Sequence, residues 1–213
     1  MKIIDKIENY SDEKFNSITS GTNVRYSKAK IIFMEEQSSL SIASDVNLTD
    51  TEIIVGKGSK LTIGRGSTLK GKVNIGSFSS VEIGSNLSVT SSLYIRVVEK
   101  TKVSIGNDCL IATGVTIRTN DGHPIYDTTS GERINHSQDI TIGNHVWLGD
   151  EAAILKGVKI GDGSIVAMRS IVTKDVDSKV IVAGIPARVV RENCTWEHDL
   201  KSKTEHLYLP DYP

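Results

Sequence analysis

His123 stands before Pro124 in a polar stretch, RTNDGHPIYDTTSGERINHSQD, that interrupts an otherwise regular aliphatic beat. An imidazole in such a loop can accept a proton from an alcohol near neutral pH and return it to a leaving group, the work of a general base. Trp147 closes the later hexad IGNHVW. Its spacing places the indole on an outer face or corner, where a large exposed ring marks a ligand site or a subunit contact. His145 falls on a turn and reads as a solvated corner, and His136, at the loop's end, receives no role from its position. Cys109 follows Ile105 by four, the small inward slot of its hexad, and is expected to be buried filler. Cys194 lies in the tail near Trp196 and carries no signal, and two cysteines are too few for a disulfide framework.

The elements that must position these residues come from a period of six. From Ile142 to Ala187 an aliphatic residue opens each hexad, as in IGNHVW, LGDEAA, ILKGVK, IGDGSI and VAMRSI, before an exit through Gly184 and Pro186. The same beat runs through Ile63, Leu69 and Ile75, slips by two to Ile83 and Val89, and resumes at Ile105, Ile111 and Ile117. Six is neither a helical period nor a strand alternation, so it predicts a repeat that stacks on itself. One hexad makes a short strand and a turn, three close a triangular coil, and coils stack at the ~4.8 Å strand spacing. The leading aliphatic points inward, with Ser79, Ala152, Ser164 and Ser170 in the next inward slot. A leucine-rich repeat needs 20–29 residues and an asparagine ladder, and a sandwich alternates with period two; neither fits.

The expected organisation is a capping segment over 1–30, a solenoid over 31–190 with an excursion loop at 119–139, and a tail over 191–213. The first ~20 residues read as a short helix or cap, with Ile4, Ile7 and Tyr10 on one side. At 213 residues the chain suits one principal domain. Aromatics are only 5% of it, so aliphatic residues must fill the core. A net charge of −1 leaves no basic stripe for nucleic acid. The charged start MKIIDKIENYSDEK lacks a signal peptide's apolar run, and no segment approaches the ~18 apolar residues of a membrane span. The expected location is the cytoplasm.

With hexads, loop and exit together, the chain resembles the hexapeptide-repeat acyltransferases, whose fold is an all-β, left-handed parallel β-helix. The resemblance runs roughly from Ile63 to Arg191. It is carried by NDGHPIY (Asn120–Tyr126), ITIGNHVWLGD (Ile140–Asp150) and VTKDV…VAGIPARVVRE (Val172–Glu192). Its middle is similar to bacterial capsule and polysialic acid O-acetyltransferases. The resemblance implies transfer of acetyl from acetyl-coenzyme A to a carbohydrate hydroxyl, with His123 as base and Trp147 lining the transfer centre. It implies donor contacts at Asp150, Lys156, Met168, Thr173, Lys174, Arg188 and Arg191; Asp150 and Met168 depart from the Ser and Ala usual there. Loop residues Asn120, Asp121, Tyr126 and Arg133 are plausible acceptor contacts. It further implies a homotrimer with sites between neighbouring prisms, and no metal.

Other functions are compatible with a solenoid of this kind. An amino-sugar N-acetyltransferase shares the fold, whereas a serine acetyltransferase needs a long helical N-terminal domain. A γ-type carbonic anhydrase needs three zinc-binding histidines. His123, His136 and His145 are irregularly spaced and lack the paired HxxxxH of that family. A non-catalytic binding solenoid is the remaining alternative.

Overall fold

The computed structural model describes residues 1–201 and holds 23 strands, with no helix among them. They wind as a parallel β-solenoid with three faces. The first face stacks β3 (Ser17–Ser20), β6 (Ser39–Ile42), β8 (Lys60–Ile63), β10 (Ser80–Ile83), β13 (Lys102–Ile105), β16 (Ile140–Ile142) and β19 (Lys159–Ile160). The second runs through β4 (Arg25–Ser27), β11 (Ser88–Val89), β14 (Leu110–Ile111), β17 (Trp147–Leu148), β20 (Ile165–Val166) and β22 (Ile181–Gly184), ending on β23 (Ala187–Arg191). The third holds β5 (Lys30–Phe33), β12 (Leu93–Val97), β15 (Thr116–Arg118), β18 (Ala153–Ile154) and β21 (Ile171–Val172). Two long strands, β7 (Asn47–Val55) and β9 (Thr68–Ile75), turn the corner between the second and third faces and join them into one sheet.

The register explains why the beat is clean only late in the chain. Ala153 lies over Ile171 and Trp147 over Ile165, each 18 residues apart, which is three hexads. Earlier coils are longer: Val81 follows Leu61 by 20 residues and Val103 follows Val81 by 22. Part of the surplus sits at Gly71, where φ is +115° and an added Cβ would lie 2.1 Å from the Leu93 carbonyl oxygen. Between Val103 and Ile140 the step is 37 residues, the excess being the excursion loop.

The interior is aliphatic throughout. Ile95, Ile117, Ile154 and Val172 form one inward column, and Val81, Val103, Ile140 and Ile142 lie in others, all buried. The inward serines are buried as expected and satisfied: the Ser67 hydroxyl donates to the Gly84 carbonyl at 2.9 Å and that of Ser164 to Asp177 at 2.6 Å. A buried hydroxyl thus ties one coil's corner to the next. Cys109 is buried filler, and burial pushes its thiol up to about 12.

Of the two N-terminal expectations, a short helix or a capping segment, the helix is the one the structure overturns. No helix forms; β1 (Lys2–Ile4) pairs antiparallel with β5, and β2 (Tyr10–Ser11) with β3. Ile4 and Ile7 are buried as their spacing suggested, but an unpaired sheet end wants a strand more than a helix laid across it. Parallel pairing already begins at Ser17, inside the segment read as the cap.

Candidate active site

The loop leaves the corner between the third and first faces, after β15, and is built around Asn135, which is buried. Its side-chain NH₂ donates to the His123 carbonyl at 2.8 Å and to Asp121 Oδ2 at 2.9 Å, while its oxygen accepts the Ile125 amide at 2.6 Å. One amide therefore fixes the backbone on both sides of His123–Pro124. The imidazole itself is exposed and makes no hydrogen bond among the described residues, leaving both nitrogens open to an incoming molecule.

Two ion pairs moor this loop to the coils. Arg133 Nη1 and Nη2 reach the Glu99 carboxylate at 2.8 and 3.0 Å, and Ser137 Oγ donates to the same group at 2.6 Å. These contacts, the guanidinium first, hold Glu99 at about 2, well below the usual carboxylate range. Lys156 pairs with Asp121, whose carboxyl is lowered chiefly by that contact. Asp121 and Arg133 thus brace the loop, while Tyr126 and His123 face solvent. Asn120 is partly buried, its Oδ1 enclosed without a partner among the described residues.

Because Glu99 is depressed when folded, its stabilisation is present above the ordinary carboxylate range and is lost as pH falls through about 2. Both partners are partly solvated, so the global contribution is small. Protection factors in loop 119–139, which are corrected for the intrinsic exchange rate at each pH, should fall as pH drops from 5 toward 2, and Glu99→Gln should show the lower protection already at neutral pH. Equal exchange in both proteins at neutral pH would remove the pair from the loop's support.

The remaining predicted residues divide between the loop's corner and the second face. Trp147 begins the second face, 38% exposed, as its spacing predicted. Asp150 and Met168 stack in successive coils at the corner between the second and third faces, Arg169 N donating to the Asp150 carbonyl at 2.7 Å. Both are exposed, and Asp150 Oδ1 accepts the Thr113 amide at 3.1 Å. Thr173 and Lys174 lie exposed at the loop's own corner, one coil beyond Lys156. Arg188 and Arg191 lie exposed on β23, which folds back antiparallel on β22 after the cis Ile185–Pro186 bond. The chain therefore presents two groups: His123, Lys156, Thr173 and Lys174 at one corner, and Trp147, Asp150, Met168 and the terminal arginines on and beside the second face.

His145 is not a solvated corner. It sits at a turn with φ of 51°, but is fully buried beneath Trp196 of the tail, with ring centroids 4.2 Å apart and planes 5° from parallel. The turn position was legible; the tail that covers it was not, because it belongs to no repeat. Asn135, Glu99 and Trp196 were not anticipated from the sequence. Trp196 alone gave a usable sign, a bulky ring in a polar tail of a chain poor in aromatics. His123, His136 and His145 do not share a cluster within the chain among the described residues, and His145 is buried beneath Trp196.

A three-faced parallel solenoid with hexad rungs and a histidine-bearing excursion loop defines a class of acyl-transfer proteins rather than a sandwich or a leucine-rich repeat. Residues 139–174 match the family model for bacterial transferase hexapeptide (six repeats). The chain is 32% identical to a polysialic acid O-acetyltransferase of Neisseria meningitidis, covering 92% of both chains. It is 36% identical to the galactoside O-acetyltransferase of Escherichia coli (strain K12), over 71% of this chain and 70% of that one. It is also 37% identical to a polysialic acid O-acetyltransferase of Escherichia coli O1:K1 / APEC, over 71% of this chain but only 43% of that protein. Two solved structures superpose well: the polySia specific acetyltransferase NeuO, at TM-score 0.78, 35% identity and 88% and 81% coverage, and the polysialic acid O-acetyltransferase OatWY, at 0.68, 28%, 89% and 96%. The chain belongs to the hexapeptide-repeat acetyltransferase family.

Proposed function

We propose that this protein is an acetyl-coenzyme A-dependent O-acetyltransferase acting on a hydroxyl of a bacterial surface carbohydrate, with capsular sialic acid as the favoured acceptor. The observation that carries the reading is the exposed His123 imidazole on a loop whose backbone is fixed on both sides by Asn135. His123 takes the proton of the acceptor hydroxyl as its oxygen attacks the thioester carbonyl. Collapse of the tetrahedral intermediate expels the coenzyme A thiolate, which takes the proton back. The thioester is already activated, so no nucleophilic serine is required. Trp147 lines the transfer centre, where its indole N–H is the group that would meet the oxyanion, its backbone amide being engaged with the Ser164 carbonyl at 3.0 Å. The relatives named for polysialic acid favour the acceptor; an amino-sugar N-acetyltransferase of the same fold is the second reading, kept because one imidazole base serves an amine equally well.

His123 and Trp147 occupy different corners of one prism, which supports a site assembled between copies in a homotrimer, His123 from one chain facing Trp147 or Arg188 of its neighbour. Sedimentation should find a trimer, and a stable, fully active monomer would contradict that assembly.

On the donor side, Lys174, Arg188 and Arg191 are expected to meet coenzyme A phosphates, with Thr173, Lys156, Asp150 and Met168 along the pantetheine and nucleotide. A guanidinium–phosphate contact contributes ~1.5–3 kcal/mol. Arg188→Glu should therefore raise the donor KM about tenfold or more with little change in acceptor KM. Unchanged donor constants in Lys174, Arg188 and Arg191 variants would make all three ordinary surface charges.

The reading itself is tested by screening oligosialic acids, neutral sugars and amino sugars for coenzyme A release. Oligosialic acid should be the preferred acceptor, and no release with any of the three would overturn the proposal.

A further inference from the structure

The tail returns to the solenoid at the corner after the first face. Trp196 is buried there, its Nε1 donating to the His145 carbonyl at 2.7 Å while His145 Nε2 lies 2.8 Å from the Trp196 carbonyl oxygen. A carbonyl oxygen can only accept, so Nε2 carries a proton and the tautomer is settled by the tail. That directs Nδ1 of the neutral ring, a lone pair, at the Asp108 carboxylate, 2.6 Å from Oδ2. The other oxygen of the same carboxylate meets His198 Nε2 at 3.1 Å. Electron-pair donors from two successive coils and from the tail thus converge, one ligand atom from each residue lying within 4.8 Å of the others.

Of these contacts, the His145–Asp108 pair sets two lone pairs face to face and needs a cation between them. A proton serves at the observed separations; a divalent metal serves equally once the groups part slightly. We propose that Asp108, His145 and His198 form a site for a borderline divalent metal, zinc foremost, that fastens the C-terminal tail to the solenoid. Two imidazoles and one carboxylate suit zinc, nickel or cobalt rather than magnesium or calcium, which prefer oxygen alone. The Trp196 carbonyl is the outer partner that a metal-bound histidine ordinarily has on its second nitrogen. Tetrahedral bonds of about 2.0–2.2 Å hold donors roughly 3.3–3.6 Å apart, so His145 Nδ1 and Asp108 Oδ2 must part from 2.6 Å. Asp108 supplies that shift, its side chain being 26% exposed, and the 42% exposed His198 side chain leaves the ion a way in. The ion would be structural, its site lying apart from the His123 loop. The proposal does not depend on the reaction assigned above.

The test uses untagged full-length protein, stripped with chelator, dialysed and titrated with zinc. Bound metal is measured by plasma mass spectrometry and tail docking by tryptophan fluorescence; cobalt gives a visible absorption band as an independent signature. One zinc per chain is expected, with affinity reduced about a hundredfold or more in both His198→Ala and Asp108→Asn and unchanged in His136→Ala. His198→Ala changes an exposed tail residue, so its loss of binding cannot be ascribed to an unfolded solenoid. Stoichiometry well below one at saturating zinc, or undiminished affinity in both variants, would overturn the site and leave the contact held by a proton alone.

Discussion

Replacing His123 by alanine should lower turnover by about 10²-fold or more while leaving coenzyme A binding nearly intact. The ring is exposed and tied to nothing else among the described residues, so its removal leaves the loop's supports at Asn135, Glu99 and Lys156 in place. What disappears is an interaction formed as the acceptor proton moves, which belongs to the transition state rather than to substrate binding. The acid limb of the pH–rate profile, where the base is lost to protonation, should vanish with it. His136→Ala should leave turnover close to that of the parent protein. Turnover in His123→Ala within a few-fold of the parent would remove this residue from the chemistry.

The second large effect is on stability. Ile117 is fully buried on β15, between Ile95 in the coil before and Ile154 in the coil after, and the excursion loop begins two residues later. Ile117→Ala removes contacts on both sides and leaves a cavity that the stacked backbones cannot collapse around, a cost of about 2–5 kcal/mol. For a chain of this size that lowers Tm by roughly 4–20 °C. Each coil contacts only its neighbours, so the loss should begin locally and loosen the loop before the ends melt. Met168→Ala, at a 62% exposed corner, should change stability by less than about 0.5 kcal/mol. Calorimetry of the two variants decides the matter, and equal melting temperatures would contradict the stacked-rung account.

The coils were legible because each rung repeats the same physical problem. An aliphatic at the head of a hexad must point inward in every coil, so Ile105, Ile111, Ile117 and Ile142 announce the prism without a partner sequence. The position of Trp147 followed from the same count. Residues outside the repeat have no such second copy to disclose them. Ile4 and Ile7 are buried, but three-residue spacing suits a helix and a bent strand alike, and only the open sheet edge at β5 decides between them. Asp121 and Arg133 look like acceptor contacts in a polar loop. Their partners, Lys156 and Glu99, lie 35 and 34 residues away and come near only because the coil returns. His145 was misplaced for the same reason, its cover arriving 51 residues later.

The most direct test of the proposed activity is the identity of its product. Purified protein, acetyl-coenzyme A and oligosialic acid are incubated together, and the acceptor is analysed by mass spectrometry before and after mild alkali. The account predicts addition of acetyl groups in step with coenzyme A release, removed by alkali as oxygen esters are, and absent with His123→Ala. Oligosialic acid that gains no acetyl group, or an amino sugar in a parallel incubation that gains an alkali-stable acetamide in its place, would contradict it.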